Sequence, residues 1–373
     1  MKTVAILGST GSIGTQALDV CRAFPSELRV LALAAGRNTD LLRAQVREFR
    51  PRLVYGESLP RERPAWLGNA QLCDMAEMAS DEEIDLVLVA TSGSVALRPV
   101  LAAIQAGKAI AVANKEVLVT AGEILMREVR ARHAQILPVD SEHSALLQCL
   151  RGEDPASIAR IIITASGGPF RGLDDEQLSR VTPEQALRHP NWQMGRKVTI
   201  DSATLLNKGL EVIEARWLFE TPYEKIDVVV HPESVVHGLV EFRDGSLKAH
   251  LGAPDMRIPI QFAFSFPERW SSQDWPRLDL LAQGRLTFEP PDYKRFPCLQ
   301  LALEAGRQGG TYPAVLSSAD EVAVDLFLAG RIGFQDIPRL IAEALAAHQP
   351  EVHPDLEGIE AAQKWTYGFL RDR

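Results

Sequence analysis

The chain has 373 residues, 46% of them hydrophobic and 24% charged, enough to bury two or three ordinary domain cores. Its net charge of −9 argues against a nucleic acid or an anionic membrane as partner, because such surfaces need basic faces, so an anionic ligand must be held by local cations. The four cysteines, Cys21, Cys73, Cys149 and Cys298, form neither a disulfide framework nor a zinc pattern, MKTVAIL is too short an apolar run for a signal peptide, and no later run spans a membrane; a cytoplasmic protein is expected.

Short apolar runs alternate with amphipathic ones through the first 140 residues. TVAIL precedes TQALDVCRAF, LRVLALAA precedes DLLRAQVREF, IDLVLVA precedes LRPVLAAIQA, KAIAVA precedes VLVTAGEILMREVRARH, and AQILPV closes the series. This alternation predicts an α/β, Rossmann-like domain over residues 1–140, a parallel sheet between two layers of helices. Ligands of such sheets bind beyond the carboxyl ends of the strands. There the sequence gathers GSTGSIG at 8–14, GRN at 36–38, TSG at 91–93, NKE at 114–116 and DSE at 140–142.

GSTGSIG lies between the first strand and the first helix, the context of a dinucleotide phosphate site: glycines let backbone N–H groups and the helix N-terminus approach a pyrophosphate. Thr10, Gly11, Ser12 and Ile13 are its candidate cofactor contacts, and a plain tight turn is the alternative. An NAD site usually carries Asp or Glu after the second strand, whereas Gly36, Arg37 and Asn38 stand here. Arg37 suits a ribose 2′-phosphate, so NADPH is the expected cofactor, unless Arg37 is only a solvated loop cation.

On an extended strand end, residues two apart face the same way, so Asp140 and Glu142 would converge on one point. A divalent cation between them relieves their repulsion, and all-oxygen ligation favours magnesium or manganese over zinc. A simple Asp or Ser cap before SALLQCL stays open, although the capping-box pattern is absent. Downstream, IARIIITA is a strand running into SGG at 166–168, either an anion-binding turn or just a turn. The stretch HPNWQMGRKVTIDSATLLNKGLEVIEARWLF, 189–219, supplies Ser202, Asn207 and Lys208 as donors, with Glu211 about one helical turn beyond. Gly209 inside that helix costs about 1 kcal/mol relative to alanine, which close approach of backbone to a ligand would explain.

Trp217, Leu218 and Phe219 follow a helical face and are expected in the core. His231 and His237, within VVVHPESVVHGLV, suit hydrogen-bonded structural histidines better than ligands. Asp244 and Gly245 make a hairpin turn between strands at 235–242 and 247–252, giving an α+β central domain with a mixed sheet over 141–272. Residues 273–297 are a linker rich in proline and tryptophan. LQLALEAGR, AVLSSADEVAVDLFLAG, DIPRLIAEALAAH and LEGIEAAQKWTYGFL then predict a carboxy-terminal helical bundle over 298–373.

GSTGSIG, ANKE, VDSEHSA, SGGPFR, HPNWQMGRKVTIDSATLLNKGLE and HPESVVHG, in this order and spacing, closely resemble the 1-deoxy-D-xylulose 5-phosphate reductoisomerase family over nearly the whole chain. The resemblance implies NADPH- and divalent-metal-dependent conversion of 1-deoxy-D-xylulose 5-phosphate to 2-C-methyl-D-erythritol 4-phosphate, at the entry to non-mevalonate isoprenoid synthesis, by a homodimer. It implies Asp140, Glu142 and Glu211 as metal ligands (Mg2+ or Mn2+) and Ser141 as a substrate contact. Ser166, Ser202, Asn207 and Lys208 match the phosphate-binding positions, with His189 beside them. Trp192 matches the indole that covers the substrate, Met194 and Gly195 the nicotinamide contacts, and residues 166–196 the mobile lid. Asn114, Lys115 and Glu116 match positions between cofactor and metal. Lys115, Glu142 and His189 are the implied catalytic groups, Lys115 and Glu142 the candidates for proton transfer.

The sequence departs from the family pattern at 317–320, SSAD in place of the usual Asn-Ala-Ala-Asn, and at Thr91 and Ser92, where small apolar residues with glycine are usual. A semialdehyde or homoserine dehydrogenase, or a non-catalytic NADP-binding regulator, could share the first domain. The first needs a catalytic cysteine, and Cys149 sits on an apolar helix face where an inert thiol is expected. The second has no use for the phosphate-binding set, and the third none for three convergent carboxylates.

Overall fold

The structure, a computed structural model, describes residues 1–371 except Arg61, Gln193 and Gln273. Its contacts divide the chain into two compact units: 1–117, 125–144 and 255–276 form the first, and 118–124, 145–254 and the chain from 277 onward form the second.

In chain order the elements of the amino-terminal part are β1 (Lys2–Leu7), α1 (Ser12–Ala23), β2 (Leu28–Ala35), α2 (Thr39–Phe49), β3 (Leu53–Gly56), β4 (Gln71–Leu72), α3 (Met75–Ser80), β5 (Leu86–Val89), α4 (Leu97–Gln105), β6 (Ala109–Val112), α5 (Lys115–Arg132), β7 (Ile136–Pro138) and α6 (Ser141–Leu150). The seven strands form one parallel sheet in the order β4-β3-β2-β1-β5-β6-β7. Its central strands are apolar throughout: Val4 to Leu7 and Val87 to Val89 are 0% exposed, as a sheet covered on both faces requires. The chain winds outward from β1 to β4 and returns on the other side of β1 as β5, so the order switches at the end of β1. The Rossmann-like expectation holds. β3 and β4 lie outside the runs the sequence marked, because strands of four and two residues are too short to establish a period.

The second unit contains β8 (Ile158–Ala165), the short helices α7 (Asp175–Leu178) and α8 (Pro183–Ala186), then α9 (Arg196–Thr204), α10 (Leu206–Leu218), β9 (Ile226–Val230), β10 (Val236–Phe242) and β11 (Leu247–Leu251). Its mixed sheet runs β11-β10-β8-β9, antiparallel except for the β8–β9 pair, and β10 and β11 are the hairpin foreseen around Gly245. Where the sequence kept 255–272 with the central domain, the helix α11 (Arg257–Ser265) belongs to the first unit: Lys2 Nζ donates to the carbonyls of Phe264 and Phe266, 3.0 Å each. The remaining helices, α12 (Leu280–Gln283), α13 (Cys298–Gln308), α14 (Tyr312–Leu328), α15 (Asp336–Ala347) and α16 (Leu356–Leu370), include the four of the expected bundle. They share one apolar core with α10, through Leu206, Leu210 and Ile213 against Leu299, Ala302 and Val315. Trp217 and Phe219 are half-buried at its margin rather than inside it. Among the described residues no helix is long and apolar enough to cross a membrane.

Candidate active site

The turn after β1 is shaped by backbone crowding. Gly8 has φ +95°, and a Cβ there would fall 2.4 Å from the Ala90 carbonyl oxygen at the end of β5; one on Gly14 would fall 2.2 Å from the Gly8 carbonyl oxygen. Ser9 is buried and locked, its hydroxyl donating to Gln45 Oε1 at 2.8 Å and its carbonyl accepting from Gln45 Nε2 at 2.9 Å. Thr10 and Ile13 are half-buried, while Gly11 and Ser12 are exposed at the start of α1. That helix has no side-chain N-cap and no acidic residue in its first turn, so its leading amides face outward with the positive end of the dipole, the arrangement that receives a pyrophosphate. Gly36, Arg37 and Asn38 are exposed at the end of β2. Asn38 has a structural duty, its side chain capping α2 by accepting from the Leu41 amide at 3.1 Å.

Asn114 is buried and caps α5, accepting from the Val117 amide at 3.2 Å while its Nδ2 donates to Thr91 Oγ1 at 3.3 Å and the Gly93 carbonyl at 2.8 Å. The departure at Thr91 therefore has a partner in Asn114. Lys115 and Glu116 open the same helix and are 7% and 9% exposed. Lys115 Nζ lies 2.5 Å from Asp140. The carboxylate stretch corrects the sequence reading: residues 141–150 are helical, Asp140 comes just before the first turn with its carbonyl accepting from the Ser144 amide at 2.8 Å, and Ser141 Oγ donates to Glu142 Oε2 at 2.5 Å. Strand alternation does not govern residues 140 and 142, because the strand ends at Pro138 and the helix begins at Ser141.

The second unit holds the residues expected at an anion site. Gly167 and Gly168, with φ +81° and +68°, turn the chain after β8 so that the Gly168 amide donates to Ser166 Oγ at 3.2 Å. His189 Nε2 is 3.0 Å from the same hydroxyl. His189 Nδ1 accepts the amides of Asn191 at 3.2 Å and Trp192 at 3.0 Å, which assigns the ring proton to Nε2 and makes His189 the donor to Ser166. Burial, reinforced by the charge of Lys208, pushes this imidazole down to about 4, so it is neutral at physiological pH. With Oγ accepting twice, the Ser166 proton is left to donate to a ligand. Asn207 and Lys208 both bind Glu211, the amide at 2.6 Å, and Glu211 is 0% exposed. Ser202 is half-buried on α9.

Gly209 has a different reason from the one expected. A Cβ there would meet the Ala302 Cβ of α13 at 2.3 Å, so the close approach is helix to helix, not backbone to ligand. Trp192 is half-buried with its ring 5.9 Å from that of His237; Met194 is half-buried and Gly195 exposed at the N-cap of α9. Sequence reasoning missed Asn191, whose amide ties this segment down through the Pro232 carbonyl at 2.6 Å and Ser234 Oγ at 2.9 Å. The signal available was a second His-Pro pair, HPES, matching HPNW. His231 and His237 are structural, as expected: His231 Nδ1 meets the Thr287 carbonyl at 2.8 Å, and His237 Nε2 the Gly252 carbonyl at 3.2 Å. Burial pushes the Cys149 thiol up to about 11, which makes it inert.

A family model of 1-deoxy-D-xylulose 5-phosphate reductoisomerase matches residues 4–122, and two models of that enzyme's C-terminal domain match 136–219 and 251–368. Proteins of the same name from Heliobacterium modesticaldum and Moorella thermoacetica are each 53% identical, covering 100% and 98% of this chain and 97% and 96% of their own. A solved DOX-P reductoisomerase in complex with NADPH, fosmidomycin and magnesium superposes with a TM-score of 0.94 at 38% identity, covering 100% of this chain and 98% of that one. The Zymomonas mobilis enzyme in complex with NADPH gives 0.91 at 39% identity, with the same coverage. This chain belongs to the 1-deoxy-D-xylulose 5-phosphate reductoisomerase family.

Proposed function

We infer that the chain converts 1-deoxy-D-xylulose 5-phosphate to 2-C-methyl-D-erythritol 4-phosphate by isomerisation and reduction, using NADPH and a divalent metal, in non-mevalonate isoprenoid synthesis. The observation that carries this is full-length likeness to one family whose solved member holds NADPH and magnesium. The residues fit both groups: α1 presents an uncapped N-terminus behind glycines that admit no side chain, and the carboxylates offer oxygen alone.

NADPH belongs on the first unit, which holds most of residues 1–140 and takes in 255–276, with 145–254 contributing catalysis, 277–297 linking and 298–373 bracing. Thr10, Gly11, Ser12 and Ile13 hold the pyrophosphate, Gly36, Arg37 and Asn38 the ribose 2′-phosphate, and Asn114, Glu116, Met194 and Gly195 the nicotinamide end. Asp140, Glu142 and Glu211 hold Mg2+ or Mn2+, which when bound supplies Lewis-acid stabilisation of negative charge on the substrate oxygens. Ser166, through its free proton, joins Ser202, Asn207 and Lys208 on the phosphate. His189, neutral and donating to Ser166, aims that hydroxyl rather than shuttling protons. Lys115 and Glu142 move the proton, Ser141 contacts substrate, and Trp192 covers it and excludes water.

We assign the chain to the cytoplasm and to a homodimer. Supporting the dimer, Leu247, 57% exposed, Phe288, 46%, and Tyr293, 42%, line an open hollow of about 620 Å³ with Val228 and Leu239, edged by Arg160, Glu224, Asp227 and Arg307, a mixed apolar and charged face suited to a second copy. Light scattering tests it.

The test of function follows NADPH absorbance with the substrate present, before and after chelator, with manganese or magnesium then restored. Oxidation that stops with chelator and returns with metal is expected. Protein that binds NADPH yet oxidises none with any metal would overturn the assignment.

A further inference from the structure

By its own sequence α9 starts poorly. Gly195 at its N-cap offers no side chain to the first amides, the first turn has no acidic residue, and Arg196 and Lys197 put cations at the positive end of the dipole. An ion triad compensates. Lys197 Nζ lies 2.6 Å from Asp201 one turn along α9 and 2.7 Å from Asp320 on α14. The three side chains are 23%, 2% and 0% exposed, so the group closes between two helices and not at the surface. In such surroundings an ion pair is directional and weakly screened.

The helix so held carries Ser202 and also forms the wall behind the turn at 166–168. A Cβ on Gly168 would fall 2.7 Å from the Ser202 carbonyl oxygen and 3.0 Å from the Ala203 Cα. At its far end Leu205, φ +61°, passes the chain directly into α10, where Asn207 and Lys208 stand. A turn or slide of α9 on α14 therefore moves Ser202 relative to Ser166, Asn207 and Lys208 together.

We propose that Lys197, bridging Asp201 and Asp320, is a positioning residue for recognition of the substrate phosphate: it sets how α9 lies on α14 and hence where Ser202 stands in the phosphate-binding set. Asp320 occupies a position where the family usually has Asn, so in this chain the link to α14 is ionic. The inference rests on the proposed phosphate role of Ser166, Ser202, Asn207 and Lys208.

Lys197→Met alone removes the cation beside two buried carboxylates and confounds folding with positioning. The informative variants are Asp320→Asn, an isostere that keeps the Lys197–Asp201 pair, and the uncharged triple variant Lys197→Met, Asp201→Asn, Asp320→Asn. The KM for 1-deoxy-D-xylulose 5-phosphate is expected to rise roughly threefold in the first and about tenfold in the second, in line with the sensitivity of bound geometry to sub-ångström shifts. The inhibition constant of inorganic phosphate should rise in parallel, with the NADPH dissociation constant unchanged. A role in stability alone would lower the unfolding midpoint and the active fraction without moving KM. An unchanged substrate KM in Asp320→Asn, or in the folded triple variant, overturns the proposal. Ser202→Ala separates it from its premise: if that change also leaves KM unaltered, the phosphate assignment has failed, whereas a raised KM there with unaltered triad variants rejects the Lys197 role alone.

Discussion

Gly209→Ala tests the packing that sets α10. A methyl at 209 would meet the Ala302 methyl at 2.3 Å, and both carbons are fixed to their main chains, so neither has a rotamer to turn away. Carbon atoms pack best at about 3.5–4.0 Å, and the two helices must part by on the order of 1 Å to restore that spacing. Overpacking of this kind costs about 1–3 kcal/mol, while replacing a mid-helix glycine returns about 1 kcal/mol. The expected net effect is a loss of up to about 2 kcal/mol, read as a lower urea midpoint with an unchanged slope. Because α10 also carries Asn207, Lys208 and Glu211, the substrate KM should rise with it. Gly209→Ala combined with Ala302→Gly moves the methyl from one helix to the other; it should restore KM and most of the midpoint. The reasoning is refuted if Gly209→Ala unfolds at a higher urea concentration than the parent chain, since helix propensity would then outweigh any clash.

Arg37→Ala should raise the KM for NADPH by tenfold or more, about the 1.4 kcal/mol or greater of a lost charge-assisted contact, and leave the substrate KM alone; an unmoved NADPH KM would return Arg37 to the solvent. Glu211→Gln should keep the fold and NADPH binding while metal-dependent turnover disappears, and full activity in that variant would strike Glu211 from the ligands. His189 gives a pH dependence with a definite sign. Its folded-state value, near 4, lies below the unfolded 6.5, so its contribution to stability is complete above about 6.5 and is lost as pH falls toward 4. The gap in unfolding midpoint between the parent and His189→Asn should therefore be constant above that range and shrink below it; parallel curves throughout would show that the imidazole does not titrate as inferred.

The parts of the fold that the sequence disclosed are those with a period. Runs such as LRVLALAA and AVLSSADEVAVDLFLAG announce strand and helix because burial on both faces, or on one stripe, leaves a pattern of sufficient length. LVYG and the two-residue β4 leave none. The return of 255–276 to the first unit is invisible for another reason: it depends on contacts such as Lys2 to the carbonyls of Phe264 and Phe266, partners more than 260 positions apart in the chain. At the candidate site, residue types and spacing named candidate groups, but not the geometry in which they are held. Asp140 and Glu142 were expected on a strand end, and the structure corrects that placement, since the helix begins three residues after β7 ends. Gly209 was expected to mark close approach to a ligand, and the approaching atom is instead the Ala302 Cβ of α13.

In the proposed site, recognition of a phosphate by a chain of net charge −9 would follow from how these donors are held. A field cannot draw the ligand in, because the overall charge opposes it. Direction must do what the field does not. Ser166 has its lone pairs filled by the Gly168 amide and by His189, which leaves its proton one useful direction. His189 can fill that role only as a neutral ring with its proton on Nε2, and the two amides at Nδ1 together with burial enforce that form. Lys208, 4% exposed, is fixed by Glu211, which Asn207 also grips, so its position is defined before any ligand arrives. A loosely held surface lysine would lose much of its gain to side-chain ordering on binding; donors already ordered by the fold do not incur that loss again. The proposed phosphate set thus has one cation, Lys208, buried against a carboxylate, and the affinity it would have for a dianion resides in geometry that folding has already established.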